Sequence, residues 1–200
     1  IVGLPAATTR DQLKALGAAA ASTGAVALFH VVGVTPEAAT LDAATHGQVP
    51  GRTVALTAEM LRGSLARLST AGQGGRVDAV AVGSPHFSIG EFEHLVRLVS
   101  GRRLAVPFYA CTARGTLLAL EEQGDAEVLR EAGVEIIVDT CVVVTPILPA
   151  SGGVLMTNSG KFAHYGPSNT GYEVLYGSLE DCVDSAVAGR ALSSPEVWAW

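Results

Sequence analysis

Two hundred residues are within the range of one domain and enough to bury a real core. A hydrophobic share of 48% against 16% charged residues requires much of the chain to be covered, by itself or by another surface. The net charge of −6 argues against non-specific nucleic-acid binding, and the apolar runs are strand-length, so no membrane span is indicated.

The first expected element is a helix over 9–23, where Thr9 and Gln12 make a capping box and Leu13, Leu16 and Ala20 share one face. Residues 25–32 form a continuous apolar run bounded by glycines, the pattern of a strand buried on both faces. His30 within it reads as a hydrogen-bonded core residue. Thr35 and Pro36 open a short helix to Ala44. His46 falls in a solvated loop, residues 52–56 read as a short strand, and residues 57–68 read as a helix with Ala58, Leu61, Leu65 and Leu68 aligned.

A second buried strand, 77–82, runs into the loop Gly83-Ser-Pro-His-Phe-Ser88. Ser88 and Glu91 form another capping box, with Phe92, Leu95, Val96 and Val99 behind it. Ser84 and His86 are thereby expected in a strand-to-helix loop, at the sheet edge where α/β folds bind ligands. His94 reads as a surface residue. A third strand over 104–110 ends at Cys111, helices follow over 112–123 and 125–132, and a fourth strand over 134–138 ends in Asp139-Thr-Cys141. Residues 142–147 are expected to continue extended.

The apolar run 154–156 stops at Thr157-Asn-Ser-Gly-Lys161, and Lys161 is one of two lysines, with Lys14. A strand entering a polar turn with a lysine just inside a helix start can hold an anion, because free N–H groups, helix dipole and ammonium act together. The spacing is not that of a P-loop, so an ordinary capped turn with a surface lysine stands beside this reading. Residues 163–170, rich in Gly, Pro and Asn, are expected to cover the site; residues 173–176 form a last strand. Ser178 and Asp181 cap a final helix whose core face includes Cys182, and the tail from Ala191 to Trp200 packs on a neighbouring surface or stays loose.

The sum is a layered α/β/α domain with a mainly parallel sheet. Three cysteines at unequal spacings, with no CxxC and no secretion signal, do not make a disulfide framework and point to a reducing cytoplasm. One edge gathers Ser84, His86, Cys111, Asp139, Thr140, Cys141, Asn158, Ser159 and Lys161. Thiols beside an anion pocket suit an iron–sulfur lyase. The chain begins Ile1-Val-Gly-Leu-Pro5 and is expected to be a piece of a longer protein.

Four blocks in order now carry a resemblance: residues 16–38, the Gly83-Ser-Pro-His-Phe-Ser88 loop, Asp139-Thr-Cys-Val-Val-Val-Thr-Pro146 and Thr157-Asn-Ser-Gly-Lys-Phe-Ala-His-Tyr165. The chain resembles the C-terminal part of the large catalytic domain of the aconitase X family. The resemblance implies an aconitase-like fold and hydro-lyase chemistry assisted by an iron–sulfur cluster. The bacterial activity, dehydration of cis-3-hydroxy-L-proline, is the first expectation; the archaeal one, on mevalonate 5-phosphate, is the alternative. It implies Cys141 as a cluster ligand and places Ser84 where the archaeal form has cysteine, with Cys111 a third candidate. Serine is a harder, poorer iron ligand than thiolate, which favours a 2Fe–2S over a 4Fe–4S cluster. His86, Asn158, Ser159, Gly160 and Lys161 are implied to bind the anionic substrate. The rest of the large domain and a small swivelling domain carrying a general-base serine are the implied partners, so no catalytic base is expected in these residues. The readings from other classes are a non-enzymatic small-anion binding module and a cysteine-nucleophile enzyme using Cys141 and His86.

Overall fold

The computed structural model describes residues 1–149 and 152–194. Five parallel strands are built in the order β3-β2-β1-β4-β5: β1 (Ala79–Phe87), β2 (Phe108–Thr112), β3 (Val134–Val138), β4 (Val154–Thr157) and β5 (Glu173–Tyr176). Eight helices complete the described residues: α1 (Arg10–Gly24), α2 (Leu41–Thr45), α3 (Ala58–Arg67), α4 (Ile89–Val99), α5 (Arg114–Gln123), α6 (Asp125–Ala132), α7 (Gly160–Thr170) and α8 (Leu179–Ala188).

Two-residue alternation along the strands sorts the core into two clusters. Val80, Val82, Phe108, Ala110, Met156 and Leu175 meet Phe92, Leu95 and Val99 of α4, Leu129 of α6 and Val183 of α8. Ala79, Ala81, Tyr109, Cys111, Leu155 and Val174 meet Phe162 and Ala163 of α7 and the Cys141–Val143 segment. This is the expected α/β/α layering, and α1 packs in turn on α7. The three capping boxes, Thr9/Gln12, Ser88/Glu91 and Ser178/Asp181, all form. Cys182 is fully buried on the α8 side of the sheet.

Several expectations fail for identifiable reasons. Residues 25–32 are irregular, not a strand; Ala25 turns left-handed (φ 51°) as the C-cap of α1, Leu28 is 75% exposed, and the run meets no strand partner among the described residues. His30 is accordingly not a satisfied core histidine, since its Nδ1 is buried without a hydrogen-bond partner. Residues 52–56 likewise form no strand. Thr35 turns its hydroxyl back to Val31, so the helix starts later, with Thr40 as its N-cap. Residues 142–147 do not extend. Asp139 is left-handed (φ 59°), and the amides of Val144 and Thr145 both bond back to Cys141 O (3.1 Å each), winding the segment into a turn over the second core cluster.

Residues 163–170 are the body of α7 rather than a covering loop. Gly166 permits it, because a Cβ there would stand 2.9 Å from the Phe162 ring and 3.0 Å from Val174. The third strand begins at Phe108 and contains Cys111, and β1 runs on through Ser84 and His86 with a register shift, so both lie within the strand rather than in a loop after it. His94 is half-exposed and pairs with Glu180 (3.1 Å). The tail's tryptophans, Trp198 and Trp200, lie outside the described residues.

Candidate active site

The chain leaves β1 towards β2 on one side and β4 towards β5 on the other, so strand order reverses between β1 and β4. Such a switch point opens a crevice at the carboxyl ends of the strands, where open α/β sheets bind ligands. Gly83, Ser84, Asn158 and Ser159 meet there, around a cavity of about 40 Å³ that also includes Ala15 and Glu91. Gly83 is required by contact as well as by its φ of +83°, because a Cβ would fall 2.2 Å from Cys111 O. That close approach brings β1 and β2 together where the candidate donors lie.

Ser84 is 4% exposed, and its Oγ has no hydrogen-bond partner. A buried hydroxyl left unmatched is costly, and an ordered water or a ligand group would satisfy it. Ser84 contributes its carbonyl instead, which accepts from Ser159 Oγ. Ser159 is also the N-cap of α7, accepting from Phe162 N (3.0 Å), so one side chain ties β1 to the helix start. The peptide Ser84–Pro85 is cis.

Cys111 and Cys141 are both buried in the α7-side cluster, close enough for their charges to interact. Burial pushes the Cys111 thiol up to about 11, opposed by a hydrogen bond from the Val142 amide and supported by Cys141. His86 Nε2 donates to Thr140 O (3.0 Å) and so holds the turn that carries Cys141. Asp139 anchors the same turn from outside: it accepts from the Arg114 amide (2.9 Å) and guanidinium (2.6 Å), and these bonds, with the nearby charges of Arg114 and His86, hold its carboxyl below the usual range.

A larger cleft of about 590 Å³ adjoins the small cavity, sharing Ala15, Asn158 and Gly160 with it. It runs between α1 and α3 on one side and the start of α7 on the other. Its polar lining includes Ser64, Arg67, Asn158, His164 and Tyr176. Of the two lysines, Lys14 is committed: it donates to His86 O (2.9 Å) and pairs with Asp11 and Glu91, docking α1 beside the site. Lys161, the second residue of α7, is half-buried and lines neither cavity. Arg67 and His164 were not singled out by sequence reasoning. The signal that could have found His164 is its i, i+4 spacing from Gly160 on α7; nothing local marks Arg67, which reaches the cleft only because α3 folds beside α7.

Comparison with known proteins fits this arrangement. Residues 77–188 match the aconitase X third domain, and residues 1–66 match the aconitase X second domain. The chain belongs to the aconitase X family. Among aconitase X relatives, it is 40% identical over 192 residues to the cis-3-hydroxy-L-proline dehydratase of Pseudomonas aeruginosa, covering 94% of this chain and 33% of that protein. It is 33% identical over 181 residues to the phosphomevalonate dehydratase large subunit of Methanosarcina mazei, covering 90% of this chain and 42% of that protein. The crystal structure of holo-form Thermococcus kodakaraensis aconitase X superposes with a TM-score of 0.79 at 27% identity, covering 92% of this chain and 46% of that one. The chain thus spans about a third of the length of the hydroxyproline dehydratase it matches. The Pseudomonas and Methanosarcina relatives are dehydratases by name, and no helix among the described residues is long and apolar enough to cross a membrane.

Proposed function

We propose that this chain is the substrate- and cluster-binding part of a dehydratase that removes water from cis-3-hydroxy-L-proline. The observation that carries the reading is Ser84, a buried, unpartnered hydroxyl at the switch point of a sheet whose same edge holds two buried thiols. The 40% identity to a hydroxyproline dehydratase, against 33% to a phosphomevalonate dehydratase, supports the substrate.

The donors this chain would offer an iron–sulfur cluster are the thiols of Cys141 and Cys111, which share one buried cluster, with the Ser84 hydroxyl at the same edge of the sheet. Among the described residues, no group of three or more His, Cys, Asp and Glu side chains is placed to hold a metal ion. Further thiolate would therefore come from elsewhere in the full-length protein, and a donor set this poor in thiolate favours a 2Fe–2S cluster. When bound, the cluster supplies a Lewis acid that eases departure of the substrate hydroxyl.

This chain's own residues bind and orient. The turn of Asn158, Ser159 and Gly160 presents the N-terminus of α7, whose free amides and dipole attract a carboxylate. Lys161 adds positive charge one residue further on. His86 keeps Thr140 and Cys141 in register with that turn. Ser159 links the two halves through Ser84 O. The general base is a serine of the small swivelling domain outside these residues, and a reducing, cytoplasmic setting suits the unpaired thiols.

The test is to prepare the full-length protein anaerobically and measure iron, sulfide and dehydration of both candidate substrates. The expected result is a brown protein that dehydrates cis-3-hydroxy-L-proline. Cys141→Ala loses both iron and turnover, whereas Lys161→Ala, which removes a charge behind the α7 N-terminus without touching the cavity lining, weakens substrate binding only slightly and keeps the cluster. A properly reconstituted protein without iron would defeat the reading, and turnover of mevalonate 5-phosphate alone would move it to the archaeal activity.

A further inference from the structure

We propose that Arg67 binds the carboxylate of the substrate, facing the N-terminus of α7 across the larger cleft. The proposal deepens the dehydratase reading and rests on it for the identity of the acid. Sequence patterning draws attention to the lysines, but the structure places neither lysine among the residues lining this cleft. Lys14 is already paired with Asp11 and Glu91, and Lys161 lines neither cavity.

Arg67 does line the cleft, opposite Asn158 and Gly160. Among the described residues lining it, Arg67 is the one with a permanent positive charge, Asn158 and His164 add further side-chain nitrogens, and no carboxylate is present. In a chain of net charge −6, a cleft with that composition favours an anion. Ser64 Oγ accepts from Arg67 Nη2 (3.1 Å), one turn back on α3, which restrains the side chain in advance. One bond uses one of five guanidinium N–H groups, and the planar fork suits a carboxylate in a way a lysine ammonium does not.

Two further observations point to a ligand at this place. Ser84, whose Oγ is buried without a partner, lines the small cavity that shares Ala15, Asn158 and Gly160 with the cleft. The cleft's volume of about 590 Å³ suits a small molecule. The wall shared by the two cavities, Ala15, Asn158 and Gly160, leads from the start of α7 to the cavity that Ser84 lines.

The test is calorimetric titration of the full-length protein with L-proline and with L-prolinamide, which lacks the carboxylate charge. The wild type is expected to prefer L-proline. In Arg67→Gln, L-proline affinity falls roughly tenfold or more, the range for a lost charge-assisted pair, and the preference vanishes. Arg67→Lys retains part of it. Arg67 is exposed at the end of α3, so the melting temperature of Arg67→Gln stays that of the wild type. A preference retained in Arg67→Gln, or a wild type that binds both compounds alike, overturns the proposal. Turnover of cis-3-hydroxy-L-proline is measured in parallel: an Arg67-dependent preference without turnover defeats the dehydratase reading alone, and turnover with an Arg67-independent preference defeats this proposal alone.

Discussion

The two family-matched regions differ in how their helices are held. In residues 77–188, α4, α6, α7 and α8 each bury two or more side chains against the sheet. In residues 1–66, the helices α1, α2 and α3 bury no residue at all, although each has a well-formed side-chain N-cap. Most of the large exposed hydrophobic side chains also fall there, among them Leu28, Val49, Leu56, Met60 and Leu61. Local signals suffice to start a helix, but helical stability in a protein comes mainly from packing an apolar face. The N-terminal region therefore has helix-forming sequence without the surface that would bury its apolar faces, in keeping with a chain that spans a third of its relative.

Three measurements break or sharpen that contrast. The largest effect is expected in the core. Leu129→Ala, at a fully buried position in α6, costs ~2–5 kcal/mol by urea denaturation, while Leu61→Ala, 40% exposed on α3, stays within ~0.5 kcal/mol in the 200-residue chain. Equal costs would erase the distinction; a cost for Leu61→Ala that appears only in the full-length protein would show what covers that face. Next come the caps. Ser88→Ala removes both the α4 capping box and the hydrogen bond to Asp11, and lowers global stability by about 1 kcal/mol. Thr57→Ala removes the equivalent cap of α3 and is expected to show as local amide exchange, with less global effect.

The smallest effect tests the joint between the regions. Burial raises the Asp11 pKa, but hydrogen bonds from Ser88 and Lys14 and the Lys14 charge outweigh it, leaving the carboxyl below its ordinary value. A depressed folded pKa gives stability that is present above the unfolded value of about 3.9 and lost as pH falls through the folded one. Acidification below about pH 4 should loosen α1 before the sheet, read by amide exchange at Leu13 and Leu16. Simultaneous loss of both regions would mean that Asp11 is no hinge point.

Much of the candidate site was legible because its parts are local. Asn158, Ser159 and Gly160 were readable as a strand-to-helix turn, and Ser88/Glu91 as a helix start, since capping depends on residues three apart. Cys111 and Cys141 were readable as thiols near the ends of apolar runs, and they lie inside β2 and three residues beyond β3. The Val142–Ile147 segment was misread because β-branched runs satisfy a strand pattern equally well when they wrap a core as a turn. The run from Ala25 to Val32 was misread because apolar continuity says that a segment wants cover, not what provides it.

What the sequence by itself determined is the alternation of the five strands and their helices from β1 onward and the capped helix starts, set by interactions within a few residues. Only the tertiary structure decided which of those pieces share a site. Strand order puts β1 beside β4, which joins Ser84 to Ser159 across 75 positions, and the packing of α1 and α3 beside α7 sets Arg67 opposite Asn158 while Lys14 is drawn into the Asp11 and Glu91 pairs. Such contacts depend on long-range packing, which leaves no periodic trace in the chain, so the charge that faces the cleft could not be chosen from the sequence alone.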